Sequence, residues 1–259
     1  MIKLLFETWK LNLYWLLEYR MNFIFQMLGM FFADMTSVIV WIFMFDSMKI
    51  VWWIDFYQML LLYEVILLIF VFSNLFFSWW VNIAPFILSW SLDTYLLLPK
   101  KPLFIILSSR TYASLYWDLL MAVVLPFFIK WMTILKFLWI FYLSFIASFA
   151  LIWTIVAFCS LAFFIWSSTN LSKTYFDLLM WPPHYPPKIF DWTYLKFLFM
   201  TVVPVYYIFF LPFNLSMNFN FLDFAILHIA SGALFYLGIY VFYKWLSRYE
   251  SWNLISVNV

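Results

Sequence analysis

Long runs of apolar residues, separated by short polar stretches, fill nearly the whole chain. A helix of about 20 apolar residues crosses the roughly 30 Å hydrocarbon core of a bilayer, because each residue adds about 1.5 Å. Six runs approach or exceed that length, so the pattern predicts six transmembrane helices. The predicted spans cover residues 21–45, 56–83, 111–129, 137–165, 195–216 and 221–245.

The composition leads to the same fold class. Hydrophobic residues make up 68% of the 259 residues and charged residues only 10%, whereas a soluble domain needs far more charge to cover its surface. Backbone exposed to lipid has to satisfy its own hydrogen bonds, which favours helices. We therefore expect an all-α integral membrane protein, with residues 1–259 forming a single transmembrane domain.

The first twenty residues have a different pattern from the spans. Lys3, Glu7, Lys10, Tyr14 and Glu18 fall within about 60° of one another on a helical wheel, and most of the remaining circumference is apolar. This pattern predicts that residues 1–20 form an amphipathic helix lying in the membrane interface. Such a helix either anchors the chain at the surface or couples cytoplasmic motion to the first span.

The distribution of lysine and arginine predicts the orientation of the chain. With the N-terminus inside, eleven of the 14 basic residues fall in cytoplasmic segments, and only Lys49, Lys130 and Lys136 fall in outer loops. Cytoplasmic loops of membrane proteins carry such an excess of positive charge. We therefore expect both termini, residues 84–110 and residues 166–194 to be cytoplasmic. The spans then pair within 21–83, 111–165 and 195–246.

Four acidic residues lie within or near the predicted hydrocarbon region: Asp34, Glu64 and Asp118 inside spans, and Asp223 at the start of the sixth. A charge at the bilayer centre costs on the order of 2.5–3.5 kcal/mol, so each side chain should face the bundle interior or a wet cavity. Two interpretations remain open. The acids line a translocation path or relay protons, or each is a hydrogen-bonded group that holds neighbouring helices together.

Sequence motifs for catalysis are absent. The chain contains no HExxH, no GxSxG and no phosphate-binding loop, and its single cysteine, Cys159, excludes an internal disulfide and a cysteine-rich metal site. The net charge of +2 is too small to indicate a nucleic-acid partner. We therefore expect no catalytic residue, no metal and no bound cofactor. If the chain moves a substrate with ATP, another chain must supply the ATPase.

Two prolines are expected to bend the fifth span. Pro204 and Pro212 lie eight residues apart within it. Each removes a backbone donor, and its ring clashes with the preceding turn of the helix. The sequence therefore predicts a helix kink at both positions.

The cytoplasmic stretch 86–103 is strongly apolar, yet Asp93, Pro99 and two lysines make it a poor span. An apolar segment outside the membrane core needs lipid headgroups or a partner's groove to cover it. Its motifs Leu92-Asp93, Leu96-Leu97-Leu98-Pro99 and Pro102-Leu103 resemble the loop after the second span in type-2 ABC exporter permeases, particularly their small six-span branch. One departure is Trp90-Ser91, where that family usually has a glycine before Leu-Asp.

Other motifs are similar to the same family and follow the same order. They are Leu17-Glu18-Tyr19-Arg20 before the first span, His184-Tyr185-Pro186 through Trp192, Val203-Pro204-Val205, and Phe210-Leu211-Pro212.

The resemblance implies a multi-pass permease subunit of an ABC transporter in the plasma membrane. Such a subunit exports an amphipathic or hydrophobic substrate, such as a drug, lipid or peptide. It works as a homodimer or beside a second permease, among membrane lipids, with cytoplasmic ABC ATPase subunits that carry the ATP and Mg. The stretch 86–103 would dock on the ATPase, and the candidate contact residues are Asp93, Leu97, Pro99 and Lys100.

The alternative is a proton-coupled secondary transporter that works without an ATPase. In that case Asp34, Glu64 and Asp118 would carry the proton. Inverted repeats are common in secondary transporters, and no internal repeat is visible between the two halves of this chain. A scaffold role also remains open, since a scaffold needs no motif.

Overall fold

The computed structural model describes residues 2–51, 54–89, 92–165, 168–191 and 193–249, and no β-strand occurs in these ranges. Trp90, Ser91 and Trp192 of the family-like motifs, and the expected cytoplasmic tail beyond Tyr249, lie outside the described residues. The α-helices are α1 (Ile2–Glu18), α2 (Arg20–Met48), α3 (Phe56–Phe77), α4 (Ile83–Leu88), α5 (Leu92–Leu96), α6 (Pro102–Ser108), α7 (Ser114–Val124), α8 (Ile134–Cys159), α9 (Ser168–Met180), α10 (Thr193–Thr201), α11 (Leu211–Met217) and α12 (Phe221–Leu246). The 3-10 turns are Ser78–Asn82, Leu125–Phe128, Ser160–Phe163, Pro182–His184 and Pro187–Phe190, and Tyr206–Phe210 is a π-helix.

Four of these helices are long and apolar enough to cross a membrane: α2, α3, α8 with its following 3-10 turn, and α12. A fifth crossing is present if the bent pair formed by α10 and the helix after it counts as one span. The apolar helix Ser114–Phe128 is only about 22 Å long, which is less than the thickness of the hydrocarbon core. The expected all-α membrane fold is therefore confirmed, while the expected count of six spans is not.

The core of the bundle lies around α3 and α8. In their most apolar windows 72% and 67% of the residues are buried by protein, against 17% for both α2 and α12. The α12 helix runs beside α8 in the same direction: Trp139 stacks on Phe224 near their starts, and Trp153 meets Gly238 further along. A Cβ atom at Gly238 would lie 2.5 Å from the carbonyl oxygen of Trp153, so only glycine permits this approach.

The N-terminal helix α1 packs beside the start of α2 and is tied to the segment that precedes α7. The Asn12 amide lies 3.3 Å from both the Ser108 carbonyl oxygen and the Thr111 hydroxyl oxygen, to which it donates. Leu11 and Trp15 on the same helix are 57% and 59% exposed. Acyl chains cover such apolar side chains on an interfacial helix, in keeping with the amphipathic pattern of residues 1–20.

Within the expected cytoplasmic loop 166–194, the described residues 168–191 pack against the bundle. Helix α9 packs on the end of α8, where the rings of Tyr175 and Phe158 stack at 3.9 Å. The chain then continues through proline-rich turns until the His184 ring lies 6.3 Å from the ring of Tyr63 in α3. The prolines of this segment predict a loop, because they interrupt helices. Tyr175, Leu179, Pro182 and Pro183 are nevertheless buried in the structure.

The fifth predicted span is broken. Tyr194–Thr201 and Tyr206–Met217 meet at an angle of 80°, and Pro204 lies in the short break between them. The five residues after the break form a π-helical turn. Pro212 lies in the first turn of α11, directly beyond that turn, and the helix continues through it. Because Tyr206–Met217 is one continuous helix, Pro212 is an interior proline, and the N–H that it lacks would have bonded to the π-helical turn before it.

Candidate functional site

The segment of residues 84–110, which we call the coupling segment, presents an apolar tip to its surroundings. Leu97 is 86% exposed, Leu96 and Leu98 are about half as exposed, and Pro99 and Lys100 are exposed beside them. Exposed leucines in a row, followed by a lysine, are typical of a surface that another protein or a membrane covers.

The tip is held by a buried base. Leu92 in α5, and Leu103 and Ile106 in α6, are at most 2% exposed. Tyr95 packs on Phe86 of α4 with ring centroids 5.3 Å apart. Short helices α5 and α6 are therefore anchored on the bundle from both sides, and the turn between them projects. Pro102 occupies the first turn of α6, where its missing N–H costs nothing.

Asp93, a candidate contact for an ATPase, lies near the residues that follow α12, where its carboxylate interacts electrostatically with Tyr249. Burial, and then the Asp93 carboxylate, raise the pKa of Tyr249 above its ordinary value, so the hydroxyl keeps its proton at neutral pH. Three of the four expected docking residues thus lie at the tip, while the fourth links the coupling segment to the last spanning helix.

A second group of polar side chains lies inside the bundle. Asp34 of α2 is only 5% exposed and accepts two hydrogen bonds, from the Tyr63 hydroxyl at 2.5 Å and from the Trp117 indole N–H at 2.7 Å. Tyr63 belongs to α3 and Trp117 to α7. One carboxylate therefore connects α2, α3 and α7, and both of its oxygens have partners.

Asp118 and His184 complete this group, which we call the Asp34 cluster. Asp118 is 1% exposed, interacts electrostatically with Asp34, and has no hydrogen-bond partner among the described residues. His184 also interacts electrostatically with Asp34. Its Nδ1 lies 2.8 Å from the Met180 carbonyl oxygen, which can only accept, so Nδ1 carries a hydrogen and Nε2 is the nitrogen left for exchange. Two carboxyls, an imidazole and a phenol at one place can bind and pass a proton.

The structure brings Asp34 and Asp118 together but leaves Glu64 out. Glu64 is fully buried, and neither of its carboxyl oxygens has a hydrogen-bond partner among the described residues. It follows Tyr63 in α3, and consecutive helical residues point about 100° apart. Burying an ionised carboxylate without a partner has a large free-energy cost.

Sequence reasoning missed the donors of the Asp34 cluster. Tyr63 and Trp117 lie inside predicted spans, where the pattern does not mark them as donors, and His184 lies in the predicted cytoplasmic loop 166–194. One signal was present: each donor precedes an acid directly, as Tyr63-Glu64 and Trp117-Asp118. That pattern does not say which acid the donor reaches.

Helices long enough and apolar enough to span a bilayer define a multi-pass helical membrane protein. The family model of the ABC-2 family transporter proteins matches residues 20–252, so the chain belongs to that family and is a permease of the ABC-2 type. No curated protein and no solved structure matches the chain. This match confirms the family that the sequence was expected to resemble.

Proposed function

We propose that this chain is the membrane-spanning subunit of an exporter that moves an amphipathic or hydrophobic substrate with ATP hydrolysed by a separate cytoplasmic ATPase. The observation that carries the proposal is the projecting tip of the coupling segment. An 86% exposed Leu97 next to Lys100 offers a partner both an apolar anchor and a charge.

The anchoring of the coupling segment supports a role in transmitting motion. A push on the tip reaches the bundle through the buried Leu92 and Leu103, and reaches the end of α12 through the electrostatic interaction between Tyr249 and Asp93. Packed helices have discrete arrangements, so movement of such a segment shifts the bundle from one packing to another. In this scheme the ATP and Mg bind to the partner subunit.

The complex contains two permeases, either two copies of this chain or this chain with a second permease. The protein lies in the plasma membrane with both termini in the cytoplasm. The sparsely covered α2 and α12, each 17% buried in its apolar window, leave surface for lipid and for the second permease.

The test is Leu97→Arg, with Leu97→Met as the matched control. The tagged chain is purified from its host in mild detergent, and stoichiometric partners are identified by mass spectrometry. We expect the wild type and Leu97→Met to retain a protein with a phosphate-binding loop. We expect Leu97→Arg to lose it while inserting normally, because a desolvated cation in an apolar anchor site costs several kcal/mol. Undiminished ATP-dependent transport by Leu97→Arg vesicles would contradict docking at the tip.

A proton-coupled secondary transporter is the second candidate, and the Asp34 cluster is the observation that favours it. Two carboxyls and His184 lie in one buried place where a proton could be exchanged. Sealed vesicles separate the two functions. Transport that needs ATP and survives collapse of the pH gradient supports the exporter, and transport driven by a pH gradient without ATP supports the carrier.

A further inference from the structure

A cavity of about 400 Å³ lies between α1 and the residues that lead into α7. Its volume is within the range of small-molecule sites. It is separate from the tip of the coupling segment and from the Asp34 cluster. No acidic side chain is among its lining residues, which are Leu11, Asn12, Trp15, Leu16, Tyr19, Gln26, Trp79, Ser109, Arg110, Thr111 and Tyr112.

Arg110 supplies the charge of this cavity. Its guanidinium lies over the Trp79 ring, 5.4 Å from the ring centroid. The Tyr112 ring also stacks on Trp79, with the ring centroids 5.7 Å apart. In the described part of the chain, the salt bridge that occurs joins Lys196 to Asp191. Arg110 therefore forms no salt bridge with a carboxylate of the described residues. A positioned arginine without a counter-charge is suited to an anion.

Two hydroxyls beside Arg110 have hydrogens to donate. The Thr111 hydroxyl accepts from the Asn12 amide at 3.3 Å, and the Tyr112 hydroxyl accepts from the Asn82 amide at 2.6 Å. A hydroxyl that accepts a bond still carries its own hydrogen, and neither of these hydroxyls donates to an acceptor in the described part of the chain. The guanidinium and two O–H groups therefore line one cavity, a donor set that matches a phosphate with several acceptor oxygens.

The opposite wall identifies the source of the phosphate. It is formed by Leu11, Trp15 and Leu16 of α1, an amphipathic helix whose apolar residues are largely uncovered by protein. Such a helix lies at the boundary of headgroups and acyl chains, where the phosphates of lipids are found. A free phosphate makes no favourable contact with an apolar wall. The glycerol and first methylenes of a phospholipid would pack against it.

We propose that this cavity binds the phosphate headgroup of an anionic phospholipid from the leaflet that faces the coupling segment. The lipid bridges α1 to the start of α7 and completes a wall that protein alone leaves open. The proposal does not rest on the transport function, and it holds for the isolated chain.

The test is a titration of the purified full-length chain in neutral detergent with phosphatidylglycerol, followed by thermal unfolding and by native mass spectrometry of retained lipid. Arg110→Gln is compared with Arg248→Gln. The control removes a second exposed arginine that also lies over an aromatic ring, Phe164 at 5.6 Å, but does not line the cavity. We expect the midpoint lipid concentration to rise about tenfold or more for Arg110→Gln and to stay unchanged for Arg248→Gln.

Two further variants keep the test decisive if Arg110→Gln folds poorly. Arg110→Lys retains the charge and should lose less affinity than Arg110→Gln, and Tyr112→Phe retains the ring on Trp79 but should weaken binding severalfold. Equal protection by phosphatidylcholine, or wild-type affinity in both Arg110→Lys and Tyr112→Phe, would overturn the proposal. Protection by inorganic phosphate at the same concentration would show a free-anion site and refute a lipid ligand.

Discussion

Replacing Asp34 tests whether the acid holds helices together or exchanges a proton. In Asp34→Ala both donors, the Tyr63 hydroxyl and the Trp117 indole N–H, lose their acceptor inside the bundle. Each buried donor left without a partner costs about 1–3 kcal/mol, so the free energy of unfolding should fall by about 2–6 kcal/mol. The site is 5% exposed, so little water is available to replace the carboxylate.

Asp34→Asn separates packing from charge. Its amide oxygen can accept from Trp117, and the Tyr63 hydroxyl can rotate to accept from the new NH₂ group, so each of the two partners keeps a bond. We expect a loss of only about 1 kcal/mol, from the weaker neutral hydrogen bonds. A stable Asp34→Asn protein that no longer transports would show that the carboxyl itself is needed. Normal transport would make Asp34 a packing link.

Denaturant titration of the purified protein in detergent measures the stabilities, and vesicle transport measures activity. Asp46→Ala is the control, because Asp46 is an exposed acid on the same helix and its loss should change stability by less than about 0.5 kcal/mol. If Asp34→Ala were as stable as Asp46→Ala, the two hydrogen bonds would contribute nothing and the Asp34 cluster could not hold the helices.

Two further substitutions probe α12. Gly238→Ala should destabilise the protein by about 1–3 kcal/mol, because the new Cβ would meet the Trp153 carbonyl oxygen at 2.5 Å. In the control Gly232→Ala, the new Cβ meets nothing within 4 Å, so the change should be neutral or stabilising. Equal unfolding midpoints of the two variants would refute the close approach of α8 and α12. Tyr249→Phe should lower stability by about 1 kcal/mol at neutral pH by removing the polar interaction of the hydroxyl with Asp93. Since the folded-state pKa of Tyr249 is raised, this difference should be full below the ordinary tyrosine pKa of about 10 and shrink above it. A difference that persists unchanged at high pH would contradict the interaction.

The coupling segment shows how far sequence reasoning reaches into a site. The run Leu96–Pro99 and the lysine after it were recognisable because an apolar stretch interrupted by charge and proline has few uses outside a membrane. Exposure of Leu97 at 86% agrees with that interpretation. The role of Asp93 was not accessible in the same way, since its partner Tyr249 follows more than 150 residues later.

The arrangement of the Asp34 cluster could not be predicted from the sequence. The sequence identified Asp34 and Asp118 as acids that must avoid lipid, but it could not say that they lie together while Glu64 lies apart. Nor did it indicate that His184 approaches them, because the proline-rich segment around it reads as a loop.

Hydropathy is a local property of the chain, and the bilayer converts it directly into helices of a required length. For this reason the all-helical membrane fold could be predicted from the residues alone. Which side of each helix faces which neighbour depends on rotation and packing against partners distant in the chain. The connection of three helices through Asp34, the 80° break around Pro204 and the cavity beside Arg110 therefore became visible only once those helices were placed together.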